Sequence, residues 1–220
     1  MKISTILLEY LAPLLAVLSG ILSYKHFTFF WKLLFLQVLL YVIAIKLVYE
    51  ITPVFHTNSN HWFYNGYLII EIGLLCFAPL QLFKTTFEKL SLLLLFAFYV
   101  LVFAFQIYLN GLDQFANFAF ASAGFVVSLI YGYILYLSFQ IPEWAHPRSA
   151  IIWASFGLIL FFACNVPYFS LFNYLNTHFL TLSRFMFHVI TDVLANARYF
   201  MLALAFYLVR KHAISKSQTL

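Results

Sequence analysis

Apolar residues run through this chain in seven long stretches, at about 4–23, 29–53, 61–83, 90–110, 115–140, 150–172 and 187–210. Each is close to the roughly 20 residues an α-helix needs to cross a hydrocarbon core. The connections between them are short: YKHFT, VFHTNSN, KTTFEK, GLDQ, IPEWAHPRS and NYLNTHFLTLSRF supply the turn formers and most of the exposed charge. The pattern predicts an all-α polytopic membrane protein, a single domain of seven transmembrane helices over 1–220. No segment reads as a soluble domain, a low-complexity linker or a repeat. The first stretch resembles a secretory leader in having one Lys ahead of an apolar run. Glu9 within the run and the lack of an A-x-A site favour a retained helix.

Composition agrees with the pattern. Hydrophobic residues are 65% and charged residues 9% of the chain, where a soluble domain is about a quarter charged. Phe at 28 and Tyr at 15 suit lipid-facing helices with aromatic belts. The net charge of +5 gathers at helix ends and forms no basic run, so it reads as membrane anchoring and excludes a nucleic-acid partner. Cys76 and Cys164 stand in apolar runs outside any CxxC or CxxH pattern, and no metal or cofactor is expected.

Charge also orients the chain. Seven crossings put Lys25, Lys32, Lys84, Lys89, Arg148, Arg210, Lys211 and Lys216 on one side, and Lys2 and Arg184 on the other. The positive side faces the cytoplasm, so the N-terminus is expected outside and the C-terminus inside.

Polar groups within the stretches then acquire depths. Lys46 and Glu50 fall in the outer half of the second, one turn apart, and Asn65 and Glu71 in the outer half of the third. Glu9 and Gln106 lie near outer ends; Asn117, Ser122 and Asn165 lie in outer halves of the fifth and sixth. The last stretch carries His188, Asp192 and Asn196 at i, i+4 and i+8, one helical face that also takes in Tyr199, with Arg198 near mid-depth. The inner halves hold little besides Gln37, Ser128 and tyrosine hydroxyls. Charges at such depth must face the bundle interior or water and find partners. Lys46 pairs with Glu50, and Arg198 with Asp192 or Glu71. Pro13, Pro79 and Pro167 fall inside helices as kink sites.

Lys46, Glu50, Asn65, Glu71, Asn165, His188, Asp192, Asn196 and Arg198 are therefore expected to line a polar pocket, open outward and closed inward by an apolar plug. The first reading is a membrane sensor or ligand-binding component that takes a small molecule from the outer side. With only a short polar tail after Arg210, it would signal through a partner membrane protein. The second is a small-solute or proton-coupled transporter. The third is an intramembrane enzyme using Cys164 and His188 with Arg184. Against it, Cys164 in FFACNVPYF lacks the Ser-Gly expected after an exosortase-type nucleophile, and no HxxxH occurs. An enzyme is the least favoured reading.

Two stretches carry a family likeness. NHWFYNGYLIIEI (60–72) and ITDVLANARYFMLALAF (190–206) resemble segments of small seven-helix membrane proteins of Bacteroidota, a group with no assigned activity. The resemblance implies a bacterial inner membrane and makes Asn65, Glu71 and Asn196 shared polar positions.

Overall fold

The computed structural model describes residues 2–54, 61–112, 114–140 and 147–218, with only the backbone described for 2–10, 45–54 and Thr191. Within them the chain is helical, and no strand occurs among the described residues. The helices are α1 (Lys2–Ser23), α2 (Phe29–Val54), α3 (His61–Phe77), α4 (Thr86–Asn110), α5 (Asn117–Gln140), α6 (Arg148–Ser170), α7 (Phe172–His178), α8 (Leu180–His188) and α9 (Ala195–Gln218). A 3₁₀ turn, Ala78–Gln81, closes α3, and a π-helical turn, Val189–Leu194, joins α8 to α9. Five stretches, His61–Gln81, Thr86–Asn110, Asn117–Gln140, Arg148–Ser170 and Leu180–Gln218, are long and apolar enough to cross a membrane. Leu11–His26 in α1 and Phe29–Ala44 in α2 are shorter apolar helices. The chain is a multi-pass, all-helical membrane protein.

Local chemistry sets the boundaries. Thr85 and Glu88 start α4 with a capping box: the Thr85 hydroxyl accepts from the Glu88 amide at 3.1 Å, and the Glu88 carboxylate accepts from the Thr85 amide at 2.8 Å. Gly111 ends the same helix at φ 75°, a left-handed conformation that suits glycine, and its amide donates to Ile107 O at 2.9 Å. Pro79, which has no N–H to donate, falls in the 3₁₀ turn that stops α3, so it ends that helix and does not kink it.

Packing joins the long helices into a ring in the order α1, α2, α3, α4, α5, α6, α9 and back to α1. Close approach is bought with small residues, as membrane helices require. A Cβ on Gly124 of α5 would sit 2.5 Å from the Phe162 carbonyl oxygen of α6. One on Gly157 of α6 would sit 2.9 Å from Met201 Cβ of α9. On α1, Ala12 and Ala16 are fully buried, and Ser19 Oγ donates to Ala203 O of α9 at 2.7 Å. Large apolar side chains such as Phe87, Leu101, Phe105 and Tyr108 point outward.

One connection differs from the sequence expectation. The stretch 173–185, read as a loop, is helical as α7 and α8, with a break at Phe179 alone. From Leu180 the helix runs unbroken through the π turn to Gln218, 39 residues in all. At 1.5 Å per residue that is about 58 Å, well beyond a hydrocarbon core of about 30 Å.

Candidate functional site

Among the described residues, the buried charges of the ring meet at its middle. Arg198 on α9 and Glu71 on α3 belong to helices that are not neighbours in the ring, and their side chains meet across it. Glu71 falls at the midpoint of its span, His61–Gln81, and Arg198 within a residue of the midpoint of Leu180–Gln218. Arg198 Nη1 donates to Glu71 Oε1 at 3.0 Å, and Gln37 Nε2 of α2 donates to the same oxygen at 2.8 Å. Arg198 Nη2 donates to the hydroxyl of Tyr199. The guanidinium carbon lies 4.1 Å from the Phe161 ring centre, 4.5 Å from that of Tyr199, 5.5 Å from Phe162 and 5.7 Å from Tyr41. Rings from α2, α6 and α9 thus surround the cation and attract it through their π faces.

The pair is sealed: Arg198 is 1% exposed and Glu71 4%. Among the described residues these are the only buried charged side chains. Taking two charges out of water costs several kcal/mol per ion, so a buried pair persists only where its geometry and hydrogen bonds compensate. Compensation here is incomplete. Arg198 Nε and Gln37 Oε1 are buried with no hydrogen-bond partner among the described residues. So is the hydroxyl of Tyr67, whose ring is 6.3 Å from Tyr41, itself 4.5 Å from Tyr199. Asn165 is fully buried on α6, about one turn from Phe161, and neither of its amide atoms has a partner among the described residues. Buried polar atoms without partners are rare in folded proteins, and each calls for an explanation.

The other expected site residues separate into two groups. His188 Nδ1 lies 3.2 Å from Asp192 Oδ2, the side chains being 71% and 37% exposed, and Asn196 Nδ2 donates to Asp192 O. These residues still touch along the chain, but the π turn between His188 and Ala195 adds a residue to the winding. One extra residue rotates the rest of the helix by about 100°. His188 therefore stands at the surface while Arg198 and Tyr199 point inward. Asn65 lies elsewhere. Its Nδ2 donates to Leu112 O at 3.0 Å and Gln114 O at 2.9 Å, and its Oδ1 accepts from the Ala116 amide at 3.1 Å. It clamps the α4–α5 turn. Gln106 and Asn117 continue that clamp, bonded to each other at 2.8 Å, with Gln106 Oε1 accepting from Ala119 N at 2.8 Å. The side chains of Glu9, Lys46 and Glu50 lie outside the described residues.

Sequence reading missed Gln37, Tyr41, Tyr67, Phe161 and Phe162 as parts of the centre. Gln37 carried a signal, since it is the one amide in the apolar run FFWKLLFLQVLLYVIAI. The aromatic residues carried none, being a few among many.

The chain matches no family model, no curated protein and no solved structure.

Proposed function

We propose that this is a seven-span, receptor-like membrane protein that binds a small polar molecule at the Arg198–Glu71 centre. The molecule enters from the outer side, and the bound state is passed to a partner membrane protein. The observation that carries the reading is the sealed ion pair with unpartnered donors and acceptors beside it. A pair serving packing alone gains nothing from Arg198 Nε, Gln37 Oε1, Tyr67 and Asn165 left without partners among the described residues; a ligand with complementary groups relieves that cost. Asp192, Asn196 and His188 then form the outer approach, above the π turn. Such turns inside α-helices are frequent at functional sites.

Helices α1 and α2, at 22 and 26 residues, have the length to bring the spans to seven. The distribution of Lys and Arg supports an N-terminus outside and a C-terminus in the cytoplasm. The likeness to small seven-helix proteins of Bacteroidota supports a bacterial inner membrane.

The test is a thermal-shift screen of the protein in nanodiscs against small metabolites. A ligand at 100 times its dissociation constant stabilises by about 2.7 kcal/mol. A shift lost in Glu71→Gln is the expected result; the absence of any shift removes the reading. Transport is the second reading, favoured by the placement of the centre near mid-span, where transporters hold substrate. Uptake of the hit into proteoliposomes distinguishes it from sensing.

A further inference from the structure

Resting on that binding reading, we infer that the centre selects ligands of zero net charge that carry both a hydrogen-bond donor and an acceptor. The charge of the site itself gives the reason. Glu71 and Arg198 neutralise each other at 3.0 Å, and no other charged side chain among the described residues is buried. A monoanion or monocation entering this closed interior brings a charge with no counterion among the described residues. An uncompensated buried charge is strongly unfavourable. A zwitterion or an uncharged amide brings none.

The buried atoms with no partner among the described residues are of both kinds. Arg198 uses Nη1 for Glu71 and Nη2 for Tyr199, which leaves Nε as a donor with no partner among the described residues. A guanidinium edge of this kind is suited to a carboxylate or carbonyl oxygen. On the carboxylate side, Gln37 donates through Nε2, and its Oε1 is an acceptor with no partner among the described residues. The Tyr67 hydroxyl accepts or donates, and the Asn165 amide offers one group of each kind. Phe161, Phe162, Tyr41 and Tyr199 give the ligand's carbon skeleton an apolar wall. Amino-acid-like zwitterions and small carboxamides share the required chemistry.

Four compound series on shared carbon skeletons test it: amino acids, amino amides, carboxylates and carboxamides, over a range of chain lengths. Binding is read by thermal shift and isothermal calorimetry on the full chain in nanodiscs. The wild type is expected to bind amino acids or carboxamides and to ignore carboxylates and amino amides. Whether the amino acids or the carboxamides bind more tightly tells the two sources apart. Glu71→Gln keeps an acceptor for Arg198 but gives the centre one net positive charge. Its affinity ratio for carboxylate over carboxamide is expected to rise by at least about tenfold. Arg198→Gln is expected to shift preference towards amino amides. A carboxylate or amino amide that binds the wild type best, at a site both variants alter, overturns the neutrality rule while leaving the binding reading in place. If no compound binds the wild type, in these series or in the wider metabolite screen, the binding reading and the inference fall together. Should either variant not fold, the wild-type ranking across the four series decides.

Discussion

Arg198 is the residue on which most of the interior depends. It reaches Glu71, the Tyr199 hydroxyl and four aromatic rings, that of Tyr199 among them, and it is surrounded by residues from α2, α3 and α6. Arg198→Ala leaves the Glu71 carboxylate buried without its cation, and removing one partner of a buried pair costs about 3–5 kcal/mol. Glu71→Gln costs less, because the amide oxygen still accepts from Arg198 and from Gln37. A double-mutant cycle with Arg198→Ala and Glu71→Ala should give a coupling of about 0.5–3 kcal/mol in denaturant unfolding of the reconstituted protein. Costs that simply add would mean the pair does not exist in the membrane. Both charges were legible in the sequence, since intramembrane Glu and Arg are costly and need partners. The choice of Glu71 over Asp192 was not. Along a regular helix Asp192 and Arg198 sit roughly 120° apart, and nothing in FHVITDVLANAR announces the π turn that alters their relation. Asn65 illustrates the opposite error. Its depth marked it as a pocket residue, but a primary amide can also bond three backbone groups at once, and here it holds the α4–α5 turn.

Among the elements, the helices arise from hydrophobic run length, and their contacts depend on glycine. Runs of apolar residues predicted the long helices because a membrane helix must satisfy its backbone internally over the whole crossing. The start of α4 was also readable, as Thr85-Thr86-Phe87-Glu88 is a capping-box sequence. The helical state of 173–185 was hidden because its composition is mixed. NYLNTHFLTLSRF has turn formers and no long apolar run, and it folds as helices packed on each other and tied to α6. The Tyr168 hydroxyl donates to Ser183 O at 3.2 Å, and Ser183 Oγ donates to Asn176 Oδ1 at 2.6 Å. Two glycines of α5 give a sharp test of helix contact. Gly124→Ala drives a methyl to 2.5 Å from the Phe162 carbonyl, a backbone atom that cannot swing aside. Gly132→Ala meets nothing within 4 Å. The first should destabilise by about 1–3 kcal/mol. The second should be neutral or stabilise by up to about 1 kcal/mol, through helix propensity. Equal effects in an unfolding titration would mean α5 and α6 are not packed this closely.

For the whole molecule, three exposed positions report the number of crossings and their direction. The background replaces Cys76 and Cys164 with Ala, leaving a single introduced thiol each time. Thr86, at the start of α4, and Gln114, in the turn after its other end, are both exposed, and the helix between them has 25 residues. At 1.5 Å per residue it is about 37 Å long, enough to cross a core of about 30 Å. Lys84 and Lys89 flank its first end, so the positive-inside rule places Thr86 in the cytoplasm and Gln114 outside. Gln114→Cys should react with an impermeant maleimide on intact cells, and Thr86→Cys only after permeabilisation. The reverse pattern inverts the protein; labelling of both from outside means α4 does not cross. Neither position reports on α1 and α2, because removing two crossings leaves every later loop on its own side. Thr28, exposed between those helices, does report on them. With seven crossings it shares the cytoplasm with Thr86 and is protected in intact cells. With five it lies on the side from which α3 enters, and Thr28→Cys is labelled from outside.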